Sequence, residues 1–179
     1  MGMFGFVRRL FGRDAAHVQR SQRRSKPRLN AREGMRVLVV DDSPTIVAVL
    51  RRMLQQNGYR VMEAGDAEEG IRIALAESPD LVFLDIVLPG MNGFAALRQL
   101  RREPATLDVP IIMMSGNEQA TEQFYAQRIG ADDFMKKPFS RAEVFARIER
   151  LLDASLLPRR HATAAAAASA SAPPAPTLS

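Results

Sequence analysis

The chain contains no cysteine, which excludes disulfides, thiol catalysis and cysteine-ligated metals and fits a reducing compartment. No run approaches the roughly 20 apolar residues of a membrane-spanning helix. The apolar stretch from Met3 to Phe11 is broken by Gly5, Arg8 and Arg9, and no small-residue cleavage site follows it. That argues against a secretory signal, and a cytoplasmic protein is expected. The two histidines, His17 and His161, lie near the ends of the chain, where neither makes a catalytic pair. Glycine loops are missing as well. The turn Asp41-Asp42-Ser43-Pro44-Thr45 carries neither Gly-x-Gly-x-x-Gly nor an ending in Gly-Lys-Ser/Thr, so nucleotide phosphates find no backbone cradle.

What remains is 179 residues, enough for one domain of about 100–150 residues with tails. The positive net charge is unevenly spread. Residues 1–34 hold Arg8, Arg9, Arg13, Arg20, Arg23, Arg24, Lys26, Arg28 and Arg32 against Asp14 and Glu33, while the rest is slightly acidic. The basicity therefore belongs to an N-terminal arm and not to the fold. At the other end, residues 154–179 are rich in alanine, proline and serine and offer little to bury, as expected of a disordered tail. The folded domain is expected over residues 35–153.

Within those limits strand and helix patterns alternate. The runs Val37–Val40, Leu81–Leu84 and Val109–Met114 lack a period of two, as expected of parallel strands covered on both faces. Arg60–Glu63 and Asp132–Met135 carry weaker strand signals. Ser43 and Pro44 suit the N-cap and first position of a helix with the apolar face Ile46, Val49, Leu50, Met53 and Leu54, and Asn57-Gly58 suits its end. Asp66 with Glu69, and Ser140 with Glu143, have capping-box spacing. Val144, Ile148, Leu151 and Leu152 give a last helix its buried stripe. About five βα units result, an α/β fold with a parallel sheet.

Three acidic residues fall where strands end: Asp41 and Asp42 after Val37–Val40, and Asp85 after Leu81–Leu84. Strand ends at the carboxyl edge of such a sheet converge on one crevice, which makes these carboxylates neighbours. They repel one another unless positive charge joins them. A hard divalent cation with oxygen ligands, Mg²⁺, together with Lys137 before Pro138, supplies it. This is chemistry for a phosphoryl group on a carboxylate.

Asp41-Asp42, Asp85 followed by Ile-Val-Leu-Pro-Gly-Met-Asn-Gly, Ser115-Gly116 after an apolar strand, and Gly-Ala-Asp-Asp-Phe-Met-Lys-Lys-Pro-Phe stand in order. Together they resemble the receiver domain of bacterial two-component response regulators, over about Arg36 to Leu152. The resemblance implies a doubly wound, flavodoxin-like five-stranded parallel sheet of order 2-1-3-4-5 with its site at the switch point. It implies that Asp85 accepts a phosphoryl group from a histidine kinase. By the same resemblance Asp42 and Asp85 would ligate Mg²⁺ directly, Asp41 would do so through water, and the Val87 carbonyl would complete the set. Lys137 would pair with the phosphoryl oxygens, Pro138 would follow a cis bond, and Ser115 and Phe134 would form the switch pair. Many relatives carry tyrosine where Phe134 stands, so a polar contact there is lost. The family is not enzymatic beyond slow self-dephosphorylation. Its usual output surface is the fourth helix, fifth strand and fifth helix, here about Asn117 to Leu152. With little room expected for an output domain after Asp153, the chain is similar to single-domain regulators of the chemotaxis and twitching-motility type, and the stretch Gly90–Leu100 resembles type IV pilus regulators.

Simpler readings stand beside these. Asp41 and Asp42 could be a solvated loop or a helix cap, Ser115 a cap, and Phe134 plain core. Asp132 and Asp133 read as structural or solvated turn residues. An aspartyl-nucleophile phosphohydrolase commonly has a second acid two residues on, where this chain has Val87. The arginine arm could tether nucleic acid non-specifically, but no helix-turn-helix or stacking surface supports specific binding. Its apolar residues Met3, Phe4, Val7, Leu10 and Phe11 can share one helical face, so residues 1–13 are a candidate contact for an anionic membrane, which would place the protein at the inner membrane surface; the alternative is that residues 1–34 are a plain disordered arm.

Overall fold

The computed structural model describes residues 31–116 and 120–160, without the side chains of residues 120 and 121. The apolar stripe of residues 1–13, the basic segment up to residue 30 and the alanine-rich tail after residue 160 lie outside the described residues. Five strands form one parallel sheet: β1 (Arg36–Val40), β2 (Arg60–Ala64), β3 (Leu81–Asp85), β4 (Ile111–Ser115) and β5 (Asp133–Lys136). Their order is β2-β1-β3-β4-β5, as the resemblance implies. Five helices connect and follow them: α1 (Pro44–Gln55), α2 (Ala67–Glu77), α3 (Gly93–Leu100), α4 (Ala120–Arg128) and α5 (Arg141–Leu151).

The inner parts of β1, β3 and β4 are apolar because they feed two cores. Val37, Val39, Phe83, Ile112, Met114 and Met135 face Leu50 and Leu54 of α1 and Val144 and Ile148 of α5. Leu38, Val40, Leu84, Ile111, Met113 and Phe134 face Ile71 of α2, Leu97 of α3 and Ala126 of α4. Neighbouring residues on a strand thus enter opposite cores, and both positions must be apolar. The helix signals work locally. Ser43 caps α1 with Pro44 in its first turn, Asp66 accepts a hydrogen bond from the Glu69 N–H at 2.7 Å, and Ser140 accepts one from Glu143 at 3.2 Å. Gly58 turns the chain after α1 at φ +78°, a conformation that suits glycine.

Several boundaries differ from the sequence expectation. The fourth strand begins at Ile111 and not Val109, because Pro110 has no N–H for the ladder and Val109 closes a turn onto the Thr106 carbonyl. The ordered chain also runs past residues 35 and 153. Ala31 is buried and its N–H reaches the Tyr59 hydroxyl at 3.1 Å. Arg32 donates its N–H to Leu156, and Leu152 bridges Pro158. No helix among the described residues is long and apolar enough to cross a membrane.

Candidate functional site

In-register parallel pairing brings the carboxyl ends of four strands level. Val40 lies beside Leu84, Asp85 beside Met114, and Ser115 beside Lys136. The strands β3 and β4 each run one residue beyond the apolar run that signals them, so Asp85 and Ser115 are held by the ladder itself. Asp41 is tied in by its N–H to the Ala64 carbonyl at 3.1 Å, and Lys137 by its N–H to the Ser115 carbonyl at 2.7 Å.

The three carboxylates meet as the strand ends require: ligand oxygens of Asp41, Asp42 and Asp85 lie within 4.8 Å of one another. Asp41 and Asp85 are buried, and Asp42 is exposed. The Lys137 ammonium sits 2.6 Å from Asp41 Oδ2 and 3.0 Å from Asp85 Oδ2. Asp41 Oδ1 accepts the Ser43 N–H at 3.0 Å, which fixes its carboxylate while the same segment starts α1. The Lys137–Pro138 bond is cis. Val87 is exposed, and its backbone N–H donates to the Asp85 carboxylate.

One ammonium among three carboxylates leaves the crevice short of positive charge. Burial pushes the Asp85 carboxyl above its ordinary value; the Lys137 contact pulls it down, Asp41 pushes it up, and the Val87 N–H lowers it. Asp41 Oδ2 is buried and touches Lys137 but accepts no well-formed hydrogen bond. An all-oxygen, over-negative set with a spare buried lone pair fits a hard divalent cation such as Mg²⁺.

The two switch residues expected from the resemblance are both buried. Ser115 is 1% exposed and Phe134 is 8% exposed, within the core that holds Ala126 and Ala131. The Ser115 hydroxyl donates to Glu122 Oε2 at 2.6 Å, a partner that strand-end reasoning does not reach because it depends on where α4 packs. A second residue without a role in the sequence reading is Gly93. Asn92 caps α3 by accepting the Ala95 N–H at 3.0 Å, and the Gly93 N–H donates to the Ile86 carbonyl at 2.9 Å. A Cβ on Gly93 would lie 1.9 Å from the Asp85 carbonyl oxygen. Only glycine lets α3 start this close to the strand end that carries Asp85. The Met-Asn-Gly sequence after Asp85 carries that signal.

The family Response regulator receiver domain matches residues 37–149. The chain is 38% identical over 117 residues to Protein PilH of Pseudomonas aeruginosa, covering 65% of this chain and 97% of that protein. Among solved structures, the receiver domain of the sensor histidine kinase PA1611 from the same species, with a magnesium ion coordinated in its active-site cleft, is 32% identical. Its TM-score is 0.60, and the match covers 65% of this chain and 95% of that one. A Borrelia burgdorferi CheY, solved with CheX, BeF3 and Mg, is 28% identical with a TM-score of 0.63, over 66% of this chain and 90% of that one. The chain spans about half the length of several transcriptional regulators that it also matches. It belongs to the response-regulator receiver family of two-component signalling.

Proposed function

We propose that this receiver is a phosphorylation switch whose acceptor is Asp85. The observation that carries the reading is the Asp85 carboxylate at the end of β3, 3.0 Å from the Lys137 ammonium and grouped with Asp41 and Asp42. An Asp85 carboxylate oxygen attacks the phosphorus of a phosphohistidine on a histidine kinase. A P–O bond forms, the P–N bond breaks, and the imidazole leaves with its electron pair and takes a proton. The product is an acyl phosphate on Asp85. A carboxylate is a weak nucleophile, so the work is positioning and charge neutralisation. Asp42, Asp85 and the Val87 carbonyl would hold Mg²⁺, with Asp41 acting through water; the ion's chemistry is to neutralise the charge that gathers on the transferring oxygens. Lys137 holds one phosphoryl oxygen as a point charge.

Ser115 then turns its hydroxyl to the phosphoryl group, and the surface formed by α4, β5 and α5 changes shape for a protein partner. The chain acts as a phosphoacceptor and not as a turnover enzyme. The likeness to Protein PilH supports a place in chemotaxis-like control of type IV pili. For residues 1–13 we propose contact with an anionic membrane, tested by sedimentation with anionic vesicles of the full chain against a chain beginning at Gly34.

Acetyl phosphate with Mg²⁺ should add one phosphoryl group to the wild-type protein and none to Asp85→Asn, read by intact mass. Equal labelling of the two would defeat the assignment.

A further inference from the structure

We propose that Glu122 is a latch: it holds the Ser115 hydroxyl in the resting state and competes for it with the phosphoryl group on Asp85. The inference rests on the phosphoacceptor reading above and deepens it. Ser115 is buried, and its hydroxyl carries one proton, so it can donate to one acceptor at a time. At rest that acceptor is Glu122 Oε2 at 2.6 Å, a short hydrogen bond to a carboxylate and therefore of the stronger kind. A phosphoryl oxygen on Asp85 is an acceptor of the same anionic type. Once Ser115 donates there, Glu122 loses its bond and must find another donor or solvent.

The consequence passes to α4, because Glu122 lies in its first turn. This helix is thinly seated: of its side chains described from residue 122 on, Ala126 is the buried one, and Gln123, Phe124, Tyr125, Gln127 and Arg128 are exposed. Its other described side-chain anchor is Tyr125, whose hydroxyl accepts from Arg98 at 2.6 Å and whose ring meets Phe94 edge-on at 5.0 Å. Among the described side chains, the Ser115–Glu122 bond is what ties the first turn of α4 to the end of β4. Its release lets the helix shift, and Phe124, 65% exposed, and Tyr125, 40% exposed, move with it. Glu122 is thus a positioning residue that acts through Ser115 and does not touch the transferred group.

The chain has two tyrosines, Tyr59 and Tyr125, so 3-fluorotyrosine gives one fluorine signal on α4 and one reference in the buried core beside Phe145. Beryllofluoride with Mg²⁺ stands in for the phosphoryl group. Glu122→Gln keeps the shape but replaces a charged acceptor with a neutral one, so it should bind beryllofluoride about fivefold more tightly than wild type. Its Tyr125 signal without beryllofluoride should already lie towards the wild-type bound position, with Tyr59 unmoved. Unchanged or weaker affinity with Tyr125 at its resting position would overturn the latch. The control is Ser115→Ala: in that background Glu122→Gln should have no effect on affinity, and an equal gain there would mean plain charge removal and would also overturn it. Failure of the wild type to bind beryllofluoride, or binding by Asp85→Asn, would instead sink the phosphoacceptor reading.

Discussion

The same sheet buries charge at both of its ends, and the two clusters differ in balance. At the carboxyl edge three carboxylates share one ammonium. At the amino edge Arg101 and Arg160 share Asp132, and both oxygens of that carboxylate accept hydrogen bonds. Asp132 Oδ2 takes Arg101 at 2.8 Å and the Ile111 N–H at 2.8 Å, while Oδ1 takes Arg160 at 3.1 Å. The surplus guanidinium donors go to carbonyls: Arg101 to Gly130 at 2.9 Å and to Val109 at 2.8 Å, and Arg160 to Leu107 at 2.9 Å. Burial pushes the Arg101 guanidinium down to about 10, opposed first by Asp132, so it stays charged at neutral pH. Carbonyl dipoles can absorb excess positive charge from the backbone at hand, whereas excess carboxylate needs a cation from outside. Burial of charge alone therefore does not mark a site; unbalanced charge does.

The largest way to break the comparison is at the balanced end. Asp132→Ala strands two largely buried guanidinium groups and the Ile111 N–H, and should cost about 3–5 kcal/mol in urea denaturation. It should leave beryllofluoride binding by the folded fraction intact. A loss below about 1 kcal/mol would mean that the amino-edge cluster is not structural. Next in size is the contact that seats α3. Gly93→Ala places a methyl carbon 1.9 Å from the Asp85 carbonyl, and backbone must move on both sides. A loss of about 3 kcal/mol is expected, together with weakened Mg²⁺ binding because the Asp85 strand end shifts.

A smaller effect, of opposite sign, belongs to the unbalanced end. Without metal, Asp85 has a folded-state pKa raised above its unfolded value by burial. The fold therefore holds that proton more tightly than the unfolded chain does, and stability falls as pH rises from the ordinary carboxylate range through the raised value. Asp85→Asn removes this loss. Its melting temperature should exceed that of the wild type at neutral pH without Mg²⁺, and the gain should shrink towards zero in acid. A constant gain at every pH would show that the charge of Asp85 is not its cause.

Most of the carboxyl edge was legible in the sequence, because strand ends are readable from apolar runs and the parallel topology fixes which ends meet. Asp41, Asp42, Asp85 and Lys137 needed no more than that, whereas Ser115 entered through the resemblance to the receiver family. The amino edge was not. Arg101 follows α3 in an ordinary polar stretch, and Arg160 falls in what composition reads as tail. What orders that tail segment is local: Asp153 Oδ1 accepts the N–H groups of Ser155 at 2.8 Å and Leu157 at 3.2 Å, turning the chain back so that Pro158 pairs with Leu152. An aspartate turn of this kind is too short to show against the alanine-rich residues that follow. Glu122 was illegible for a different reason, since its bond to Ser115 depends on how one thinly packed helix sits. Phe134 illustrates the limit of pattern: a residue at a switch position and a core residue look alike, and here it is buried in the core.

The most direct test of the charge-imbalance account is the Mg²⁺ dependence of thermal stability in three proteins: wild type, Asp42→Asn and the conservative amino-edge variant Asp132→Asn. Ligand linkage makes a hundredfold excess over Kd worth about 2.7 kcal/mol. The account predicts that saturating Mg²⁺ raises the melting temperature of the wild type and of Asp132→Asn by the same increment, from different starting points, and barely moves Asp42→Asn. An equal increment in Asp42→Asn and wild type would contradict it.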